Sequence, residues 1–465
     1  MERVVVISAA PLVLKNENFH LYSPYEKEMK LWEKHSETIQ FCCPVWEVDR
    51  NLLIEPISFP MEEPVVLKEF DSTSFLNALK AIPLVFVNSY RIYKIMQQAD
   101  HIHLRCPGNM GLLATVVQIC FPKKKKTAKY AGNWDPKAKQ PFTYKVQRWL
   151  LSNTFLTKNM QVLVYGEWPK QTSNIRPFFT ATYSAKEIQT AASTLPNELS
   201  LQEESRSATN AFDSAPSDKR VVASQLSLQE EARSAANAFD SAQSDKIVID
   251  SQLSLQEESR SAANAFDSAP SDKRVVASQL TLRAESRSRQ NYKFIFVGTL
   301  SKGKQPLYAI QLVAQLHQNG IKATLDLYGE GVLRIALETY INRHNLQEYI
   351  SLKGNQTKET LKNAYQTSHF LILPSKSEGW PKAVAEAMFW GCVPVATPVS
   401  CVSYMLNAGS RGLLLTENMG KDVAALIKLV AQPDDYKRKS KAAQEWSQHY
   451  TIELFEEEIQ KLLAD

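Results

Sequence analysis

Glycine is scarce in this chain, 15 of 465 residues, or about 3% where about 7% is usual. The few present therefore carry information: four precede residue 200 and eleven lie from Gly298 onward, so close approach of backbone to a ligand is expected in the C-terminal part. Long apolar runs are also missing. None reaches the ~18 residues of a membrane span. The six cysteines (Cys42, Cys43, Cys106, Cys120, Cys392, Cys401) hold no C-x-x-C pair and are too few to staple a chain of this length, so a reducing, cytoplasmic setting is expected. Neither G-x-x-x-x-G-K-[ST] nor G-x-G-x-x-G occurs, which excludes a P-loop and a dinucleotide fingerprint.

What remains is a globular composition, 44% hydrophobic and 22% charged, long enough for two or three domains. A 27-residue repeat begins at Leu199, Leu226, Leu253 and Leu280. Its copies are nearly identical and mostly Ser, Glu, Asp, Arg and Gln, with too thin an apolar face to offset ordering entropy. Residues 190–290 therefore read as a low-complexity insert, with a short solenoid as the alternative. Residues 291–440 alternate apolar runs (293–297, 324–328, 349–353, 369–373, 393–397) with amphipathic stretches, the rhythm of a doubly wound parallel sheet. Residues 1–189 read the same way, with strands at 3–9, 38–41, 101–104, 128–131 and 161–165 and helices at 25–34, 75–81, 90–98, 110–119 and 143–155. Residues 441–465 form one long terminal helix with an apolar set that includes Trp446, Tyr450, Phe455 and Ile459. The fold class is thus α/β, with two Rossmann-like domains separated by the insert.

Two loops carry chemistry. In Ser377-Glu378-Gly379-Trp380-Pro381-Lys382, Pro381 suits the first position of a helix, Gly379 admits close approach, and the helix N-terminus favours an anion. Glu386 lies about one and a half turns further on, against Ala383, Ala387 and Trp390. A sugar diol would satisfy both of its oxygens; a surface pair with Lys382 is the plainer alternative. In Gly298-Thr299-Leu300-Ser301-Lys302-Gly303-Lys304, two lysines follow a strand end, as a diphosphate site would need, although a solvated loop would look alike.

Taken in order, FVGTLSKGK, LDLYGEG, ISLKGN and LILPSKSEGWPKAVAEAMFWGCVPVAT resemble the donor half of a family 4 retaining glycosyltransferase of GT-B architecture. Glu378 and Glu386 have the spacing of that family's E-x7-E pair. The resemblance implies that Glu386 holds ribose hydroxyls and that Glu378 holds hydroxyls of the donor sugar. Gly379, Trp380 and Pro381 would offer backbone to sugar and phosphate, Lys304 would bind the diphosphate, and Gly354 and Asn355 would border the base. Gly298 begins the donor loop. Thr299 stands where the family carries arginine, and Lys302 is the expected substitute. In the first domain, Ala99–Arg105 is similar to the family's A-D-x-x-H-x-H strand, with Arg105 at the second histidine. Asn133 and Asp135 are the candidates for the reaction centre, and Arg105 and Asn109 for the acceptor side. His103, inside an apolar strand, reads as a satisfied core residue. The terminal helix of this architecture crosses back to the first domain, and the same is expected here.

The implied activity is transfer of a sugar from a nucleotide-sugar donor to a glycan or lipid-linked acceptor. No D-x-D is present, so neither a metal nor a cofactor is expected. Another GT-B enzyme, such as a nucleotide-sugar epimerase or a phosphorylase, is the alternative. A basic nucleic-acid-binding protein is the second, although the run Lys123, Lys124, Lys125, Lys126 lacks the interleaved aromatics that role wants. Those four lysines are expected to form a solvated turn able to touch an anionic membrane.

Overall fold

The structure, a computed structural model, describes residues 2–48, 50, 53–70, 75–193 and 291–464. The four repeat copies lie outside the described residues. The first unit contains strands β1 (Arg3–Ile7), β2 (Leu12–Lys15), β3 (Asn18–Tyr22), β4 (Thr38–Cys43), β5 (Val45–Trp46), β6 (Ile54–Pro56), β7 (Glu62–Val66), β8 (His101–Cys106), β9 (Lys125–Tyr130), β10 (Met160–Tyr165) and β11 (Ile175–Phe178). Its helices are α1 (Ser23–Glu33), α2 (Phe75–Gln98), α3 (Asn109–Val117), α4 (Phe142–Leu151) and α5 (Ala185–Ser193). Seven strands form a parallel sheet in the order β11-β10-β9-β8-β1-β4-β7. Strands β5-β2-β3-β6 make a small second sheet that the sequence did not announce.

The second unit follows the expected alternation: β12 (Tyr292–Val297), α6 (Pro306–Gln318), β13 (Ala323–Tyr328), α7 (Arg334–Arg343), β14 (Ile350–Gly354), α8 (Lys358–Thr367), β15 (Phe370–Leu373), α9 (Lys382–Phe389), β16 (Val393–Ala396), α10 (Val402–Met405), β17 (Leu413–Leu414) and α11 (Met419–Val430). Then come α12 (Pro433–Ser447) and α13 (Ile452–Ala464). Its six parallel strands run β14-β13-β12-β15-β16-β17, so the order reverses between β12 and β15. Continuous apolar runs such as Phe370–Leu373 are what a strand covered on both faces requires.

One apolar core joins the two units. It passes from Tyr165, Phe178 and Phe179 through Phe455 to Trp380, Phe389 and Trp390. A separate core, with Ile92, Met96, Ala114 and Leu151, fills the other face of the first sheet under α2, α3 and α4. Among the described residues, no helix is long and apolar enough to cross a membrane.

Three local expectations need correction. Segments 75–81 and 90–98 are one helix that runs through Pro83. Pro83 is exposed, on the side of the helix where a missing backbone hydrogen bond is tolerated best. The single terminal helix is two. The Thr451 hydroxyl caps the Leu454 N–H at 3.3 Å, and the Ile452 N–H donates to the Tyr183 carbonyl at 3.0 Å, so the chain breaks and restarts there. The second piece, α13, packs on α1, with Glu456 bonded to Lys34 at 2.9 Å and to His35 at 3.1 Å. Finally, 123–126 is no four-charge turn. Lys126 is buried and donates to the Phe121 carbonyl at 2.8 Å. Lys124 donates to the Gln97 and Ala99 carbonyls around the end of α2, and Lys125 to those of Leu463 and Ala464. Unsatisfied helix-end carbonyls take these ammonium groups, and only Lys123 of the four is exposed.

Candidate active site

In an open parallel sheet, a crevice forms at the carboxyl ends of the strands where the order reverses. Here that point lies between β12 and β15, and the two lysine- and glutamate-bearing loops leave from those strands. They are stitched together: the Lys376 N–H donates to the Gly303 carbonyl at 2.8 Å, and Gln305 Nε2 to the Pro374 carbonyl at 2.8 Å. Across the seam Lys304 Nζ meets Glu378 Oε1 at 2.5 Å, with the glutamate side chain only 7% exposed. The expected diphosphate cation and the expected sugar-binding carboxylate are therefore each other's partners. Lys302 and Lys376, the latter not foreseen, stand exposed beside them. Thr299 is also exposed.

The glycines bring backbone close to backbone. A Cβ on Gly329, whose φ is +135°, would fall 2.1 Å from the Gly298 carbonyl oxygen. The turns after β12 and β13 thus cross backbone on backbone. Gly354, at φ +68°, accepts the Gly329 N–H at 2.9 Å and leads into exposed Asn355. Three strand ends converge in this way.

The 377–381 loop is held from both sides. The Gly379 carbonyl accepts from Ser400 Oγ at 3.0 Å, and a Cβ on Gly379 would lie 2.7 Å from the Ala131 carbonyl oxygen of the first unit. Trp380 is buried against Tyr165, Trp446 and Tyr450, so its ring anchors the loop. Pro381 is the cap of α9 and not its first residue, so the helix starts one residue later than expected, with the Pro381 carbonyl accepting the Val384 and Ala385 N–H groups.

Glu386 is 11% exposed and is not simply a surface partner of Lys382, whose ammonium stands 3.6 Å away. Its Oε1 accepts from Thr182 Oγ1 at 3.0 Å and its Oε2 from the buried Tyr365 hydroxyl at 3.1 Å. Neither hydroxyl was foreseen. Tyr365 shares the buried side of α8, but the pairing of Thr182 with Glu386 spans the two units and has no local sequence signal.

First-unit candidates separate. Asn133 reaches the second unit, with Nδ2 at 3.5 Å from Ser377 Oγ. Asp135 instead shapes its own turn, accepting the Lys137 N–H at 2.8 Å, while its N–H goes to Asn133 Oδ1 at 2.9 Å. Asn109, first residue of α3, donates to the Phe70 carbonyl at 3.3 Å. Arg105 is turned inward, paired with Glu28 at 2.9 Å and stacked on Tyr25 at 3.9 Å, while Lys129 reaches the same glutamate oxygen at 3.0 Å. Burial alone would raise Glu28, but Arg105 and Lys129 outweigh it and hold the carboxyl at about 2. His101 and His103 share the Thr127 hydroxyl at 2.9 and 2.8 Å; burial keeps both neutral, His101 down to about 3 and His103 well below its ordinary value.

Residues 278–446 match the family described as Glycosyl transferases group 1. Among curated relatives, a putative colanic acid biosynthesis glycosyltransferase (WcaL) of Salmonella typhimurium is 28% identical over 141 residues, 29% of this chain and 35% of that protein. The GtfA subunit of a UDP-N-acetylglucosamine–peptide N-acetylglucosaminyltransferase of Limosilactobacillus reuteri is 27% identical over 28% of this chain and 24% of its own. The match thus spans about a quarter to a third of each relative. Anabaena HepE, solved with UDP and glucose, superposes at a TM-score of 0.56 over the whole of both chains with 13% identity. Sucrose-phosphate synthase of Thermosynechococcus elongatus superposes at 0.53 over 100% of this chain and 98% of its own, also with 13% identity. Two Rossmann-like units facing across a cleft, the GT-B architecture, are common to these folds.

Proposed function

We propose, from the match of residues 278–446 to the glycosyl transferases group 1 family, that this chain moves a sugar from a nucleotide-sugar donor to a glycan or lipid-linked acceptor. We read it as a family 4 enzyme that retains the anomeric configuration and works without a metal. A UDP-linked donor is the first to try, since HepE was solved with UDP and glucose. The observation that carries the reading is the Lys304–Glu378 pair at the switch point of the second sheet, with Glu386 eight residues on.

Breaking the sugar–phosphate bond leaves negative charge on a diphosphate and positive character on the sugar ring. Lysines 302, 304 and 376 bring cations to the leaving side, where fixed charges contribute most to transition-state stabilisation. Glu378, freed from Lys304 by the phosphates, would accept from sugar hydroxyls, and Glu386 from the ribose diol. Asn133 sits where the first unit meets the 377–381 loop, and is our candidate for the face from which the acceptor arrives. Calorimetry with UDP, GDP and their sugars tests the reading. Micromolar binding of one nucleoside diphosphate, with slow donor hydrolysis, is expected. Absence of binding by every nucleoside diphosphate, in folded protein, would overturn it.

A further inference from the structure

Single exposed apolar residues are ordinary, but several large exposed rings on one helical layer are a signal. The helices α2, α3 and α4 cover one face of the seven-stranded sheet, with α3 packed against both of its neighbours. On the outside of this layer Phe86 and Tyr90 stand one turn apart on α2, Phe142 and Trp149 two turns apart on α4, and Phe155 just beyond α4. These five side chains are 62 to 79% exposed. Not one of the three helices contains a carboxylate. Residues 75–159 hold fourteen Lys and Arg against two acids, Asp100 and Asp135. Lysines sit among the rings: Lys94 Nζ is 5.8 Å from the Tyr90 ring centre and Lys158 Nζ is 5.1 Å from that of Phe155.

We propose that this helical layer docks the protein on an anionic lipid bilayer, lying in the interface without crossing it. Exposed aromatics that enter the acyl boundary, with lysines whose stems lie along them and whose ammonium groups meet the headgroups, are what such a surface needs. A protein partner fits less well, since interface cores are depleted in lysine. Nucleic acid fits less well again, because the rings stand on helix backs and not along a groove that tracks a strand. The surface is independent of the donor site, so its test does not depend on finding a substrate. It also places the attraction on α2, α4 and their flanks, where the lysines at 124–126 are already spent on carbonyls.

The full chain would be sedimented with vesicles of phosphatidylglycerol and phosphatidylcholine, and with phosphatidylcholine alone. Binding to the anionic vesicles at about 0.1 M salt, and its weakening at about 1 M, are expected. Phe86→Ser with Phe142→Ser and Trp149→Ser, all exposed positions, should lower partitioning by roughly tenfold or more. Lys94→Gln with Lys123→Gln and Lys145→Gln should do the same at low salt and change little at high salt. Circular dichroism and thermal melting would confirm that the variants fold. Equal binding by parent and variants, equal binding to both vesicle types, or self-association without vesicles that Trp149→Ser abolishes would each overturn the proposal.

Discussion

If Glu386 accepts both ribose hydroxyls of a donor, its removal must weaken nucleotides, but the obvious variant confuses two effects. Glu386→Ala strips the partner from the buried Tyr365 hydroxyl and from Thr182. A buried hydroxyl left unpaired costs about 1–3 kcal/mol in stability whatever the carboxylate does for ligands. Glu386→Gln keeps the shape and an acceptor oxygen, and both hydroxyls can rotate to suit. Its stability loss should stay near 1 kcal/mol, or ~2–4 °C in melting temperature for a domain of this size. The ligand arithmetic is larger. Hydrogen bonds to a charged group contribute ~1.5–3 kcal/mol each, against ~0.5–1.5 for neutral ones. Exchanging two of the first kind for two of the second lowers affinity by ~2–3 kcal/mol, or roughly thirty- to a hundredfold. Titration calorimetry with the nucleoside diphosphate and its 2′- and 3′-deoxy analogues would read this. The deoxy compounds should bind the parent poorly and distinguish little between parent and variant. Lys382→Ala, which removes only an exposed ammonium 3.6 Å away, is the control and should leave affinity unchanged. Unchanged diphosphate affinity in folded Glu386→Gln would refute the ribose role.

Lys304→Ala should weaken diphosphates by at least roughly tenfold while barely changing nucleosides, since it removes a charge that acts on phosphate; calorimetry showing equal losses for both would contradict this. Glu28→Ala should cost about 3–5 kcal/mol in urea unfolding, because Arg105 and Lys129 would remain buried without their shared anion; a loss under ~1 kcal/mol would mean that the triad is relaxed by water. Acid should destabilise the fold well before carboxylates titrate. His101, His103 and His369 have folded values depressed by burial, His101 to about 3 and His369 to about 4. Their contribution is fully present above the unfolded value near 6.5 and is lost as pH falls toward the folded values, by ~1.4 kcal/mol per pH unit for each group. Melting temperature should therefore drop between pH 7 and pH 5, and a flat profile there would count against buried neutral histidines.

The second unit was legible because its strands are largely apolar runs and three of them end at or just before a glycine. The pattern fixes the strand, and the few glycines fix where backbones cross, as at Gly298 and Gly329. The loop pairing of Lys304 with Glu378 was half legible: both residues stood out, but as separate ligand groups and not as partners. What failed has a common cause. Lysines 124–126 were read from composition and Arg105 from a resemblance, and neither shows which carbonyl or carboxylate lies beside the charge. Lys124 ends at the close of α2 and Arg105 at Glu28, 77 residues earlier. The small sheet β5-β2-β3-β6 is built from strands of two to five residues, too short for a period to register. The break at Thr451 was hidden by an apolar period that runs through both helices.

In the proposed reading, a highly charged ligand enters beside an ion pair that is already made. Glu378 is buried and needs a counter-charge, which Lys304 supplies. A diphosphate entering between the β12 and β15 loops would bring its own anions to Lys304, Lys302 and Lys376, and would leave Glu378 without a partner unless something donates to it. Sugar hydroxyls on the same ligand are donors at the right end of the molecule. Partner exchange of this kind buries no additional unpaired charge, so the desolvation penalty that normally opposes a buried ion pair is not incurred twice. It also discriminates: a nucleoside diphosphate without its sugar would take Lys304 and strand Glu378, whereas the complete donor satisfies both. On this argument the intact nucleotide sugar should gain more from Glu378 than the nucleotide alone. Glu378→Gln should therefore narrow the affinity gap between the two ligands in the same calorimetric experiment. A gap unchanged by the substitution would mean that Glu378 serves only to hold Lys304.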